Sequence, residues 1–222
     1  MANSLSGAGE TFAAGGARVG AVVLAAGMST RMGQPKQLML WDGKPMVRHV
    51  VDALVAGGAE AGATVVVVGH EREKVEAALS GSKAKAAFNP DYADGSLLKS
   101  LQVGVAAVQS PEFMGGPPPD AVLVVLGDQP QIKSEVAQLV IARWRASGGE
   151  IVAPRFEGRR GHPILFARSI WPEILAVQPV GSPRDILNVY SGRVTYVDVD
   201  DDSILRDIDT PEDYRQETER RV

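Results

Sequence analysis

Val19-Gly20-Ala21-Val22-Val23-Leu24-Ala25-Ala26-Gly27-Met28-Ser29-Thr30-Arg31-Met32-Gly33-Gln34-Pro35-Lys36 is an apolar run that passes directly into a polar, glycine-rich loop. Val19 to Ala26 is continuous and rich in valine, which suits a strand covered on both faces of a parallel sheet. From Gly27 to Lys36 the chain turns polar, so the strand must end and a loop begin.

The same grammar repeats along the chain. A helix is predicted from about Pro45 to Ala56, with Met46, Val47, Val50, Val51 and Leu54 on one face and Pro45 in its first turn. Then come a strand at Thr64–Val68, a short helix around Glu71–Leu79 and a strand at Ala84–Phe88 ending in Asn89-Pro90. A helix over Ser96–Val108 leads through a proline-rich loop to the strand Ala121–Leu126, which ends in Gly127-Asp128-Gln129-Pro130. The following helix, around Ser134–Trp144, points Val136, Leu139, Val140 and Trp144 inward, with Ser134 as its cap. Strands at Ile151–Pro154 and Ile164–Phe166 flank a Gly- and Arg-rich turn. Two short helices, a strand at Val194–Val199 and a helix from Pro211 complete the pattern. Alternating buried strands and amphipathic helices predict an α/β fold with a largely parallel sheet and a ligand outside the carboxyl ends of its strands.

Composition narrows the function. The chain has 222 residues and a net charge of -4, with no basic tail, which argues against a surface built to neutralise nucleic-acid phosphates. No cysteine is present, so thiolate chemistry and disulfides are excluded and a cytoplasmic setting fits. Residues 1–17, rich in Ala, Gly and Ser, read as a flexible leader, and 18–222 as a single domain. No apolar run approaches the roughly 20 residues of a spanning helix. The three histidines are scattered and lack the spacing of a zinc site.

The loop after the first strand carries the chemistry. Small residues at Ala25, Ala26 and Gly27 let the main chain approach a ligand, and successive N–H groups there suit an anion. Arg31 and Lys36, the latter expected to be an exposed loop side chain, add fixed cations of the kind a triphosphate needs. A Walker A loop is excluded because Gln34-Pro35 follows Gly33, and the glycine spacing is wrong for a dinucleotide fingerprint. Asp128, at the carboxyl end of a buried strand, is placed either to offer magnesium a hard oxygen ligand or to cap the helix that follows. Asp207 and Asp209, two apart on an expected strand end, should project to one face.

Leu24-Ala25-Ala26-Gly27-x-Ser29-x-Arg31-Met32-Gly33-x-Pro35-Lys36 resembles the signature of the pyrophosphorylase-like nucleotidyltransferases. Leu126-Gly127-Asp128-Gln129-Pro130, Gly161-His162-Pro163 and Asp207-Ile208-Asp209-Thr210-Pro211-Glu212-Asp213 resemble its molybdenum cofactor cytidylyltransferase group, and the likeness runs from about Val19 to Tyr214. It implies a Rossmann-like nucleotidyltransferase fold, a mixed and mainly parallel sheet with helices on both faces. The implied reaction moves CMP from CTP onto the phosphate of a molybdopterin-type pterin and releases pyrophosphate. Arg31, Lys36 and Asp128 would be catalytic, and Asp128 with Asp209 would hold Mg2+. Leu24, Ala25, Ala26, Gly27, Asn89, Gly95, Ser96 and Ser100 would bind the nucleotide, although Ser96 also suits a helix cap and Gly104 close packing. His162, beside Arg155, Arg159 and Arg160, would meet the acceptor, and a molybdoenzyme would be a transient partner. Two other readings stay open: a sugar or alditol phosphate acceptor, or a non-catalytic nucleotide-binding maturation factor.

Overall fold

The computed structural model describes residues 16–178 and 190–220. Almost all of the expected leader, and the second of the short helices expected after Phe166, lie outside the described residues. Ten strands are described: β1 (Val19–Ala25), β2 (Leu40–Trp41), β3 (Lys44–Pro45), β4 (Thr64–Val68), β5 (Lys85–Phe88), β6 (Ala121–Leu126), β7 (Ile151–Phe156), β8 (Arg159–Arg160), β9 (Ile164–Ala167) and β10 (Val194–Asp198). The described α-helices are α1 (Met46–Ala56), α2 (Arg72–Ala78), α3 (Leu97–Gln109), α4 (Pro111–Met114), α5 (Ser134–Ser147), α6 (Trp171–Ala176) and α7 (Pro211–Glu219).

The main sheet has the order β10-β7-β9-β6-β1-β4-β5, with β8 on β7, while β2 and β3 form a separate antiparallel pair. β1 pairs in parallel with both β4 and β6, β4 with β5, and β7 with β10. Only β9 along that path runs against its neighbours. The fold is therefore the expected mixed, mainly parallel one.

The valine-rich strands are buried on both faces because helices cover both. Val19, Ala21 and Val23 of β1 face α1 and α5, meeting Val47, Val50, Leu54, Val140 and Ile141. Val22 turns the other way with Val65 and Val67, toward Leu98, Leu101 and Val105 of α3 and Trp171 of α6. The alternation along each strand follows the period of two of a pleated chain.

Three local expectations are corrected. Leu139 is an exposed position on α5, because the inward stripe is completed by Ala137 and Ile141 instead. Lys133, not Ser134, occupies the capping position of α5, and the Ser134 hydroxyl donates to Glu135. Asp207 and Asp209 are not on a strand: residues 206–209 form an irregular link between a 3-10 turn at Asp202–Leu205 and α7.

Candidate active site

Register brings the functional loops together. Leu24 lies opposite Leu126 and Ala25 opposite Val68, so the chain leaving β1 emerges between the chains leaving β6 and β4. β1 is followed in space by β4 and β5 on one side and by β6 on the other, and at such a reversal the loops diverge and leave a crevice. A cavity of about 370 Å³ opens there.

The loop after β1 is closed by its own side chains. Ser29, in the left-handed region at φ 53°, accepts a hydrogen bond from the Lys36 main-chain N–H at 3.0 Å and donates to Gln37 Oε1 at 3.2 Å. Gln37, only 4% exposed, donates in turn to the Gly27 carbonyl at 3.4 Å. These bonds fold the loop back on itself and aim Lys36 inward.

Charge converges on one atom. Lys36 Nζ donates to Asp128 Oδ2 at 2.7 Å and to Asp209 Oδ1 at 2.7 Å, while Arg31 Nη2 reaches Asp209 Oδ2 at 2.7 Å. Lys36 is thus not the exposed loop side chain expected, since it keeps 12% of its surface. Burial alone lowers its pKa, but the Asp128 and Asp209 carboxylates outweigh burial and raise it, so the ammonium stays charged. Burial pushes Asp209 up, yet Lys36 and Arg31 bring it below the ordinary carboxylate range. Asp207 goes the other way. Desolvation of its carboxyl by the neighbouring chain, reinforced by the charges of Asp128 and Asp209, raises its pKa despite the Gln129 amide that donates to it.

The acidic segment is also anchored from α7. Thr210 and Asp213 form a capping box, and Asp213 Oδ2 accepts from the main-chain N–H groups of Thr210 at 2.7 Å and Asp209 at 3.1 Å. That fixes the backbone at Asp209.

Of the residues singled out in the sequence, Leu24, Ala25, Ala26, Gly27, Arg31, Lys36, Gly95, Ser96, Ser100, Asp128 and Asp209 line the cavity. Ser96 also caps α3, accepting from the Lys99 N–H at 3.3 Å. Asn89 and His162 are not among the lining residues. Asn89 is buried behind the wall, where its Nδ2 donates to Ser100 Oγ at 3.0 Å and its Oδ1 accepts from the Asp91 N–H at 3.0 Å. The main-chain N–H of His162 donates to Ile204 at 3.1 Å, and desolvation, helped by Arg160, lowers the side-chain pKa to about 4. Gln37 and Tyr92 line the cavity without having been foreseen. Tyr92 was legible as an aromatic in the polar stretch between Asn89 and Gly95, whereas the Gln37 contact to Gly27 leaves no local signal.

The family model described as the MobA-like NTP transferase domain matches residues 21–194. The chain belongs to that family. As a MobA-like NTP transferase domain it is a nucleotidyltransferase, and its cavity is formed by the loops that the family match spans together with the segment just after it. It is similar to the molybdenum cofactor cytidylyltransferase of Escherichia coli (strain K12), with 27% identity over 201 residues, 90% of this chain and 95% of that protein. It is also 38% identical over 134 residues to the bifunctional protein GlmU of Exiguobacterium sibiricum, a match covering 59% of this chain but 27% of GlmU. Among solved structures, Rv0371c of Mycobacterium tuberculosis H37Rv superposes with a TM-score of 0.73 and 29% identity, covering 91% of this chain and 98% of that one. A structure of Rv0371c in complex with manganese superposes with a TM-score of 0.66 and 26% identity over 90% of this chain and 97% of that one. No helix among the described residues is long and apolar enough to cross a membrane.

Proposed function

We propose that this MobA-like domain transfers CMP from CTP to the phosphate of a molybdopterin-type pterin, giving the cytosine dinucleotide cofactor and pyrophosphate. The observation that carries the reading is the meeting of Lys36 with Asp128 and Asp209 under the Ala25–Gly27 turn. The likeness to the Escherichia coli molybdenum cofactor cytidylyltransferase, over nearly the full length of both chains, supports this acceptor.

The donor set fits magnesium. Asp128 and Asp209 are hard oxygen donors that already converge on one cation, the Lys36 ammonium. Among the described residues no group of three His, Cys, Asp or Glu side chains is arranged to hold a metal alone. Magnesium suits that arrangement, because it takes one or two carboxylates and completes its shell with phosphate oxygens and water. When bound, it supplies charge that offsets the triphosphate oxygens and a template that orients them.

The chain's own groups then do the following. Main-chain amides where the chain leaves β1, at Ala26 and Gly27, cradle the triphosphate, and Gly95, Ser96 and Ser100 receive the nucleoside. An acceptor phosphate oxygen attacks the α-phosphorus in line, the bond to the β-phosphate oxygen breaks, and pyrophosphate leaves. Lys36, released from its carboxylates, and Arg31 neutralise the charge that builds on the leaving group. The acceptor phosphate is already ionised near neutral pH, so no general base is required. In this reading residues 18–222 act as one domain in the cytoplasm, with transient contact to the molybdoenzyme that takes the product.

Pyrophosphate release with each of the four NTPs tests the proposal, with a purified pterin cofactor, a sugar 1-phosphate or no acceptor. Turnover is expected with CTP and the pterin. A preference for GTP overturns the cytidylyl assignment, turnover only with the sugar phosphate overturns the acceptor, and no turnover with any pair favours a nucleotide-binding maturation factor.

A further inference from the structure

Asp207 and Asp209 belong to an irregular segment, residues 206–209, yet their carboxylates must stand at fixed places beside Asp128. Two glutamines from the turn after β6 reach that segment. Gln129 Nε2 donates to the Arg206 carbonyl at 3.4 Å and to Asp207 Oδ1, and Gln131 Nε2 donates to the same Arg206 carbonyl. Every partner is an acceptor, so the amide nitrogen of each glutamine must face it.

The arrangement is costly. Gln129 is 1% exposed, and its Oε1 is buried without a partner, as are Gln131 Oε1, Arg206 Nε in the held segment and Ser203 Oγ in the 3-10 turn before it. Filling the space would be met by apolar side chains of similar size; what only the two amides supply is the donation to the Arg206 carbonyl and to Asp207 Oδ1. The segment is seated from its other side as well. A Cβ on Gly161 would collide with the Ile204 carbonyl, which accepts from the His162 N–H. Asp128 directly precedes Gln129, so one turn presents the first carboxylate and grips the chain that bears the other two.

We propose that Gln129 and Gln131 are positioning residues that clamp the main chain at Arg206 and hold the Asp207 and Asp209 carboxylates in register with Asp128. The proposal rests on the reading of Asp128 and Asp209 as metal ligands. The glutamines themselves need touch neither nucleotide nor metal.

The test uses the full chain carrying Gln129→Met or Gln131→Met, near-isosteric changes that remove the donor and the orphaned acceptor together. Amide hydrogen exchange across residues 203–209 is measured without ligand, manganese binding by electron paramagnetic resonance beside a non-reactive CTP analogue, and melting temperature by calorimetry. Exchange in that segment should quicken about tenfold while β1 and β6 keep wild-type rates, and the manganese dissociation constant should rise about tenfold. Melting should fall by no more than the net loss of a hydrogen bond, because the orphaned glutamine oxygen goes with the donor, whereas a merely structural role would show as a large drop in melting with wild-type manganese affinity. If Gln129→Met fails to fold, the half-buried position of Gln131 keeps the test available. Unchanged exchange in both variants, or faster exchange with wild-type manganese affinity, overturns the clamp. If the wild-type chain binds no manganese, the metal reading falls, and exchange alone then decides whether the clamp exists.

Discussion

Lys36 and Asp209 are 173 positions apart in the chain, and the ammonium of one lies 2.7 Å from a carboxylate oxygen of the other. The same ammonium holds Asp128, so a single charge ties together the loop after β1, the turn after β6 and the segment before α7. Its removal should therefore affect both chemistry and stability. Lys36→Met is expected to lower kcat by about 10²–10³, as loss of one preorganised donor does. It should also cost ~1–3 kcal/mol, because two partly buried carboxylates lose their counter-ion. Pyrophosphate release at saturating CTP and urea unfolding measure the two effects, and unchanged turnover would remove Lys36 from the mechanism.

The carboxylates should differ among themselves. Asp128→Ala and Asp209→Ala are each expected to weaken metal-dependent nucleotide binding and nearly abolish turnover, since the remaining ligand cannot fix a near-octahedral ion. Asp207→Ala should be milder, because its Oδ1 is engaged by Gln129. A role for Asp128 as a helix cap finds no support in the position of Lys133 before α5. Magnesium titrations of activity separate the variants, and wild-type metal dependence in Asp128→Ala would reject its assignment.

Gly104 offers a contrast between packing and binding. A Cβ there would collide with Val22 Cγ1 and stand 3.0 Å from Val67 Cγ2, in the core between α3 and the sheet. Gly104→Ala should destabilise by about 1–3 kcal/mol through overpacking. The KM for CTP should change little. A large rise in KM with unaltered stability would instead put Gly104 in the nucleoside site.

His162 should give the fold an acid-sensitive step. Its folded pKa is depressed from 6.5 to about 4, so the folded state resists protonation while the unfolded chain takes the proton near its ordinary pKa. The associated stability is fully present above about pH 6.5 and is lost progressively as pH falls toward 4, by up to about 3 kcal/mol. Denaturant unfolding at pH 7 and pH 4.5 measures it. His162→Gln should lose less between those two values than the wild type, and equal losses would count against a depressed His162.

Much of the fold was legible because its signals are local. The valine runs at Val19–Ala25, Thr64–Val68 and Ala121–Leu126 suit strands covered on both sides, and the helical stripe of α1 contains the residues that are buried. The errors came where local rules compete. Leu139 is apolar but faces outward because α5 fills its inner stripe with Ala137 and Ile141, and the acidic pair near Asp207 looked strand-like from spacing alone.

By itself the sequence determined the alternation of strands and helices, the small residues and cations of the first loop, and the placing of Asp128 after a buried strand. Each follows from short-range chemistry, namely hydrophobic periodicity, steric room at the main chain and the charge of a side chain. Only the tertiary structure decided that Lys36 is inside rather than exposed, that Asn89 stands behind the cavity wall on Ser100 while His162 is not among the lining residues, and that Gln129 and Gln131 grip Arg206. Those outcomes depend on contacts between segments tens to more than a hundred residues apart, whose geometry is set by strand order and register and leaves no periodic trace in the chain.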